Sequence, residues 1–334
     1  MFLDFCSSFK SNKKGYYSAI IFLIIFLITL SAEFIANDKP LIINYKGSSY
    51  FPIIFSYNET EFGGELLTET DYKDPYIQNL IENDGWIIFP PIPYSYDTIN
   101  YHIESPAPSP PSFKNLLGVD DSGRDVLARI IYGVRISLLF GVTLTFFTTI
   151  IGVTLGAVQG YFAGIFDILF QRFMEIWSGL PVLFLLIILS SIIEPGFWIL
   201  LFIVIIFGWM GLVGVVRAEF LKARNYDFVK SARALGCSDS RIIFKHILPN
   251  ALTSSFAMLP FILSGSIITL TSLDFLGFGM PIESPSLGEL LAQGKNNVNA
   301  YWLGISGFFV VTFISILLVF IGEAVRDSFK KPVN

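Results

Sequence analysis

Few side chains in this sequence are of the types that catalyse reactions or bind metals. Its 334 residues include only two cysteines, Cys6 and Cys237, and two histidines, His102 and His246. Cys-x-x-Cys pairs and cysteine–histidine clusters, the spacings typical of redox-active dithiols and zinc sites, are absent. The G-x-x-x-x-G-K-[ST] pattern of a nucleotide-binding loop is absent as well. The sequence therefore predicts neither an enzyme nor a metal-binding protein, and no cofactor held by this chain.

The pattern with the clearest functional potential lies in the charged segment 217–249, and its chemistry is that of contact with another macromolecule. Asn225 is placed to cap a short helix, and Gly236 stands where the end of a helix favours a left-handed residue. Ser238 is placed to cap a second helix. Pro249 either ends that helix or begins the next apolar one.

Three interpretations of this segment compete. Phe228, Ala232 and Leu235 share one face at helical spacing, and a short loop has no core in which to bury them. This favours a docking element that inserts into a partner protein. A basic loop that is solvated or folds back on the membrane is the plainer alternative. DNA binding by a helix-turn-helix is disfavoured, because residues 217–246 carry only seven basic against three acidic side chains and are tied to apolar runs at both ends.

The elements that must position this segment are membrane-spanning helices. Apolar residues make up 53% of the chain and charged residues 15%, whereas soluble proteins carry about 25% charged residues. A helix needs about 20 apolar residues to cross a bilayer, and hydrocarbon leaves no partner for unpaired backbone groups. Six runs qualify, which predicts an all-α integral membrane protein with transmembrane helices at 16–35, 136–160, 170–193, 197–216, 251–273 and 302–322.

Lysine and arginine placement predicts the sidedness of these six spans. The N-terminal residues 1–15, the segment 217–249 and the tail 326–334 are basic and fall on one side, which is therefore the cytoplasm. The insertion 36–125 carries five basic and fourteen acidic residues and belongs outside. The run 16–35 also has features of a cleaved signal peptide, but its near-spanning length favours a retained anchor.

Three further patterns bear on packing and pairing. The insertion contains the strand-like pieces Tyr50–Phe55 and Gly85–Phe89, which predict a small external subdomain. Arg172 and Glu175 lie one turn apart near a span end, where mutual pairing or snorkelling explains them. Glycines four residues apart predict a close helix-packing stripe at the end of the second span: Gly152, Gly156, Gly160 and Gly164.

The segment 225–249 resembles the EAA loop of ABC importer permeases, which has a Glu-Ala-Ala triplet, a glycine and an Ile-x-Leu-Pro ending. The matching residues here are Lys230-Ser231-Ala232, then Gly236, then His246-Ile247-Leu248-Pro249. The sequence departs from the pattern at Lys230 and Ser231, where Glu and Ala are usual, and its isoleucine lies one place later. Stretches 117–137 and 273–291 are similar to segments of C-type dipeptide and oligopeptide permeases. The insertion, with 35–40 and 50–52, points more narrowly to the YejE-type subgroup, which is associated with peptide and microcin C uptake.

This resemblance implies a permease core at 126–325 that imports peptides across the bacterial inner membrane, with both termini cytoplasmic. ATP and Mg would be bound by separate cytoplasmic ATP-binding subunits. A second, B-type permease subunit, an external substrate-binding protein, membrane lipid and the peptide substrate complete the implied partners, and nucleic acid is not among them. The implied ATPase-coupling residues are Asp227, Lys230, Ser231, Ala232, Arg233, Leu235, Gly236, Ile247, Leu248 and Pro249.

A secondary transporter or channel that works without an ATPase is the alternative. Such transporters often contain inverted repeats, broken helices and ionisable groups near the middle of the membrane. The sequence shows none of these features clearly, which disfavours the alternative.

Overall fold

The computed structural model describes residues 2–101, 103, 105–190, 192–193, 196–281 and 283–330. His102 and the last residues of the expected tail, 331–334, lie outside the described part. The helices, in chain order, are α1 (Phe2–Ser11), α2 (Lys13–Leu30), α3 (Ala32–Ile35), α4 (Pro75–Asp84), α5 (Val126–Phe162), α6 (Gly164–Ser178), α7 (Val182–Ser190), α8 (Phe197–Gly208), α9 (Met210–Ala223), α10 (Asp227–Ala234), α11 (Asp239–Arg241), α12 (Leu248–Phe275), α13 (Leu287–Asn296) and α14 (Tyr301–Lys330). A π-helical segment, Ile242–Ile247, joins α11 to α12.

Five of the described helices are long and apolar enough to cross a membrane, and a bent pair adds a sixth if it counts as one span. The five are α2, α5, the run Phe197–Ala223, the run Asp239–Phe275, and α14. The bent pair is α6 with α7, whose axes differ by 57°. Gly179 and Pro181 lie at that break, where proline has no N–H to continue the helical hydrogen bonds.

The bounds of several helices differ from those of the apolar runs. The third run was expected at 170–193, but its helix begins at Gly164 and is broken before α7. The helix α5 begins at Val126, well before residue 136, and α14 continues to Lys330 through part of the expected tail. Apolar runs mark where hydrocarbon would lie, whereas helical hydrogen bonds continue into polar surroundings.

The insertion contains a small sheet, so the chain is mostly helical rather than all-helical. Its strands β1 (Ile42–Tyr45), β2 (Ser48–Tyr50) and β3 (Gly85–Ile88) pair antiparallel in the order β2-β1-β3. The strand expected at Gly85–Phe89 is present. The one expected at Tyr50–Phe55 is wrong beyond Tyr50, since the chain turns after β2. A separate apolar core holds the sheet against α4, formed by Ile43, Tyr45, Phe62, Tyr72, Ile77 and Ile81.

The described residues fall into two compact units. The first unit covers Met1–Leu23, Leu138–Pro281 and Val311–Asn334, and the second covers Ile24–Ser137 and Ile282–Val310. The first contains the segment 217–249 and its own apolar core, and the second contains the insertion.

Candidate functional site

The helix α10 ends in a motif that only a left-handed residue allows. Gly236 has φ of +78°, the conformation that its position in the sequence predicts. The N–H of Gly236 donates to the Arg233 carbonyl at 3.0 Å, and the N–H of Cys237 donates to the Ala232 carbonyl at 3.1 Å. This pair of bonds is a Schellman motif. It fixes the angle at which the chain leaves α10 and enters α11.

One face of α10 and of the π-helical segment is buried within the chain itself. Val229 and Ala232 of α10 pack in one cluster with three isoleucines of the π-helical segment, and the cluster continues into α5 and α9. Its loop members are Val229, Ala232, Ile242, Ile243 and Ile247; its helix members include Ala157, Tyr161, Val216 and Phe220. The loop therefore has a core after all, supplied by the ends of the long helices, contrary to the expectation that it could bury no apolar face.

The opposite face carries large exposed apolar side chains. Leu235 is 84% exposed, Phe244 67% and Phe228 44%. We call these three residues the apolar ridge. The sequence grouped Phe228, Ala232 and Leu235 on one face. The structure separates them, because Ala232 lies in the internal core while the other two remain outside.

The remaining expected coupling residues divide in the same way. Asp227, Lys230, Ser231, Arg233 and Gly236 are exposed, Ile247 is buried and Leu248 is half-buried. Pro249 is exposed in the first turn of α12, so it begins the long helix rather than ending the short one.

A polar contact that the sequence did not indicate ties both short helices to the end of α5. The hydroxyl of Tyr161 donates to Asp239 Oδ1 of α11. Arg233 Nη2 of α10 donates to the same hydroxyl at 3.0 Å. These pairs are separated by 78 and 72 residues in sequence, and no local pattern signals contacts of that range.

The glycine stripe of α5 packs directly against α9. A Cβ on Gly152 would lie 3.0 Å from the Leu212 Cβ, one on Gly156 2.8 Å from the Val213 carbonyl oxygen, and one on Gly160 2.6 Å from the Arg217 carbonyl oxygen. The backbones approach closely because these three positions have no side chain. Gly164 does not belong to the stripe: it begins α6 with φ of +62°, and a Cβ there would meet no heavy atom within 4 Å.

We expect Gly160→Val to disrupt this seam, because its side chain meets backbone and the Phe220 Cβ at 2.6 Å. Overpacking of this kind lowers the free energy of unfolding by about 2 kcal/mol. The matched control is Gly211→Val on α9, where an added Cβ would meet no neighbouring side chain or packed helix within 4 Å. Denaturant unfolding of the purified chain in detergent compares the two variants, and equal losses would contradict the seam.

Two ion pairs involve α6. The first links α6 to α9, and the second lies within α6. Arg217 of α9 donates from Nε and Nη2 to the two carboxylate oxygens of Asp167 on α6, both at 2.6 Å. This bidentate geometry is the strong form of the arginine–carboxylate pair. Arg172 Nη1 lies 2.5 Å from Glu175 Oε2 on the surface of α6, so of the two expected explanations, mutual pairing and snorkelling, the structure shows mutual pairing.

The second unit holds a buried ion-pair network. Arg124 donates from Nε to Asp120 Oδ2 at 2.8 Å and from Nη2 to Glu289 Oε1 at 3.0 Å. Arg129 donates to the other oxygen of Glu289 and to the Ser284 carbonyl, the latter at 3.2 Å. Asp120 and both arginines are buried. The network joins two stretches that carry the family resemblance but are about 160 residues apart.

Burial affects one carboxyl of this network, Glu289, and the carboxyl of Asp125 beside it. Asp125 precedes α5 and accepts from the Ala128 N–H and from Asn115 Nδ2, both at 2.8 Å. Burial raises the pKa of its carboxyl. Burial also raises the pKa of Glu289, while the positive charge of Arg129 acts in the opposite direction. Among the described residues, no group of three or more His, Cys, Asp and Glu side chains is arranged to hold a metal ion.

Comparison with known proteins identifies the class of membrane protein to which this chain belongs. Residues 152–333 match the family model described as "Binding-protein-dependent transport system inner membrane component". The chain belongs to this family, the permease subunits of ABC importers, and is a multi-pass inner membrane protein.

Two individual relatives match nearly the whole chain, and a third matches about two thirds of it. It is 56% identical over 321 residues to the inner membrane ABC transporter permease protein YejE of Escherichia coli strain K12, covering 96% of this chain and 94% of that one. It is 52% identical to the peptidoglycan transport system permease protein YejE of Agrobacterium fabrum, covering 96% and 91%. The oligopeptide transport system permease protein OppC of Lactococcus lactis is 34% identical over 64% of this chain and 74% of its own length.

A solved structure has a similar fold over part of this chain. The inward-facing MetNI methionine ABC transporter matches 60% of this chain and 96% of its own with a TM-score of 0.51 and 17% sequence identity.

Proposed function

We propose that this chain is a permease subunit of an ABC importer that carries peptides or peptide-containing compounds into the cytoplasm. The observation that carries the proposal is its 56% identity to an ABC transporter permease over 96% of the chain. The similarity to oligopeptide and dipeptide permeases supports a peptide substrate. The similarity to a relative named for peptidoglycan transport supports, as a further class of substrate, peptides that carry sugar.

The segment 225–249 is the proposed coupling element. Its buried face packs against α5 and α9. Its exposed apolar ridge would dock in a groove of an ATP-binding subunit. ATP and Mg are bound by that partner. This chain contains no nucleotide-binding loop. The energy of ATP hydrolysis must therefore reach it through contact with the ATP-binding subunits. Closure of the pair of ATP-binding subunits would displace α10 and α11 as rigid bodies.

The proposed assembly also contains a B-type permease subunit and an external substrate-binding protein. Both termini and the segment 217–249 lie in the cytoplasm, and the insertion 36–125 lies outside, as the basic and acidic residues indicate. Single cysteines introduced into a Cys6→Ser, Cys237→Ser chain test this arrangement. A membrane-impermeant maleimide should label Leu67→Cys from outside intact cells and Ser240→Cys only after lysis; the reverse pattern refutes it.

Uptake in proteoliposomes tests the function itself. The complete importer should accumulate labelled oligopeptide when ATP is supplied to the ATP-binding subunits. A muramyl peptide in parallel distinguishes the two substrate types suggested by the relatives. Uptake that requires an ion gradient but not the ATP-binding subunits would support a secondary transporter instead.

Lys230 occupies the place of the usual glutamate, and we expect Lys230→Glu to leave uptake largely intact. Its Nζ lies 3.4 Å from Asp227 Oδ1 with both side chains mostly exposed. Such pairs contribute only about 0.5 kcal/mol. The initial rate of ATP-driven uptake checks this, with Lys245→Glu as a control for charge alone. Complete loss in Lys230→Glu only would show that this lysine has a specific partner.

A further inference from the structure

Tyr161 of α5 makes hydrogen bonds to three other parts of the chain. It lies in the last turn of α5, is 5% exposed, and its ring is part of the apolar cluster that includes Val229 and Ile242. The ring is therefore held in place by packing. Its hydroxyl emerges from that core beside the two short helices of the coupling segment.

The Tyr161 hydroxyl donates one hydrogen bond and accepts another. A phenol has one donor and can also accept, so it can bond an anionic and a cationic group together. Here it donates to Asp239 at the start of α11 and accepts from Arg233 in the last turn of α10. These partners lie on either side of the Gly236 turn. One oxygen atom thus fixes the spacing of the two helices and ties both to α5.

The backbone of the same residue holds a third element. Arg224, which follows α9, donates from Nη1 to the Tyr161 carbonyl at 3.2 Å. Carbonyls in the last turn of a helix have no partner within that helix, so this bond satisfies a free acceptor. The end of α9 is therefore tied to the point where the coupling segment meets α5.

We infer that Tyr161 is the positioning residue through which displacement of the coupling segment is passed to the transmembrane helices. This rests on the proposed function. Without the hydroxyl, α10 and the π-helical segment after α11 keep their apolar packing. The two short helices α10 and α11 lose the polar bonds that make them move with α5. The ATP-binding subunits then still dock and hydrolyse ATP, while less of the resulting movement reaches the transport pathway.

The variant Tyr161→Phe tests this in the complete importer reconstituted in liposomes, because it removes the hydroxyl and keeps the ring. Tyr132→Phe is the matched control: Tyr132 lies on the same helix, is buried, and donates its hydroxyl to the Ala36 carbonyl at 2.9 Å. We expect similar losses of thermal stability in the two variants. Only Tyr161→Phe should reduce the number of peptides carried per ATP hydrolysed, by about five-fold or more.

A second variant keeps the test decisive if Tyr161→Phe assembles poorly. Asp239→Asn weakens the same contact from the other side, and should lower the same ratio. Combining it with Tyr161→Phe should then add little, since the contact that Asp239→Asn weakens is already lost when the hydroxyl is removed. An unchanged ratio in Tyr161→Phe, or in Asp239→Asn where the first variant fails to assemble, would overturn the inference. Absence of ATP-driven uptake by the wild-type importer would instead refute the proposed function.

Discussion

Replacing Leu235 by aspartate is expected to abolish co-purification of the ATP-binding subunits while the chain still inserts and folds. Leu235 is 84% exposed, so its own chain loses little contact when it changes. Exposed substitutions of this kind usually alter stability by about 0.5 kcal/mol or less. In the proposed interface, the same change would bury an unpaired carboxylate, which costs several kcal/mol and weakens binding by about 1,000-fold.

Affinity purification through a tag on the permease measures this, with insertion judged by membrane fractionation and unfolding in detergent. Leu67→Asp is the matched control, because Leu67 is similarly exposed but lies in the insertion. Phe244→Asp, on the same apolar ridge, should behave like Leu235→Asp. Recovery of the ATP-binding subunits at wild-type levels in both ridge variants would argue against docking through this face.

Replacing Glu289 by alanine is expected to destabilise the chain more than any other single carboxylate change described above. Glu289 accepts from Arg124 and Arg129, and both guanidinium groups are buried. Removing one partner of a buried pair leaves uncompensated charge, which costs about 3–5 kcal/mol. Asp120 still faces both arginines, so we expect the lower end of this range.

Denaturant unfolding in detergent is again the measurement. Glu175→Ala provides the control, because it removes the carboxylate of an exposed pair with Arg172 and should cost at most about 1 kcal/mol. Glu289→Gln should fall between the two, since the amide oxygen can still accept from one arginine. If Glu289→Ala cost no more than Glu175→Ala, the network would contribute nothing to stability.

The parts of the structure that depend on residues close together in the chain could be predicted from the sequence. The apolar runs indicated the helices because a bilayer demands both length and satisfied backbone groups. The end of α10 followed from Gly236, since the left-handed conformation is costly for residues with a Cβ. The pairing of Arg172 with Glu175 followed from their spacing of one helical turn.

The parts of the structure that depend on contacts between residues far apart in the chain could not be predicted from the sequence. Ala232 of α10 is buried and Phe228 is exposed because of where the ends of α5 and α9 lie. The spacing of residues within the loop does not reveal where those ends lie. The contacts of Tyr161 and of Glu289 join residues far apart in the chain. Gly164 had the right spacing for the stripe but begins a new helix, because the backbone turns at Ala163 and Gly164, both with positive φ.

The unbroken path from Asp239 to Phe275 has a mechanical consequence. At 1.5 Å per residue, this 37-residue helical run is about 55 Å long. A tilt of about 5° at one end would shift the other by about 5 Å, a whole helical turn. In the proposed importer, a small change of tilt where this run meets the coupling segment would therefore become a displacement of several ångströms near Phe275.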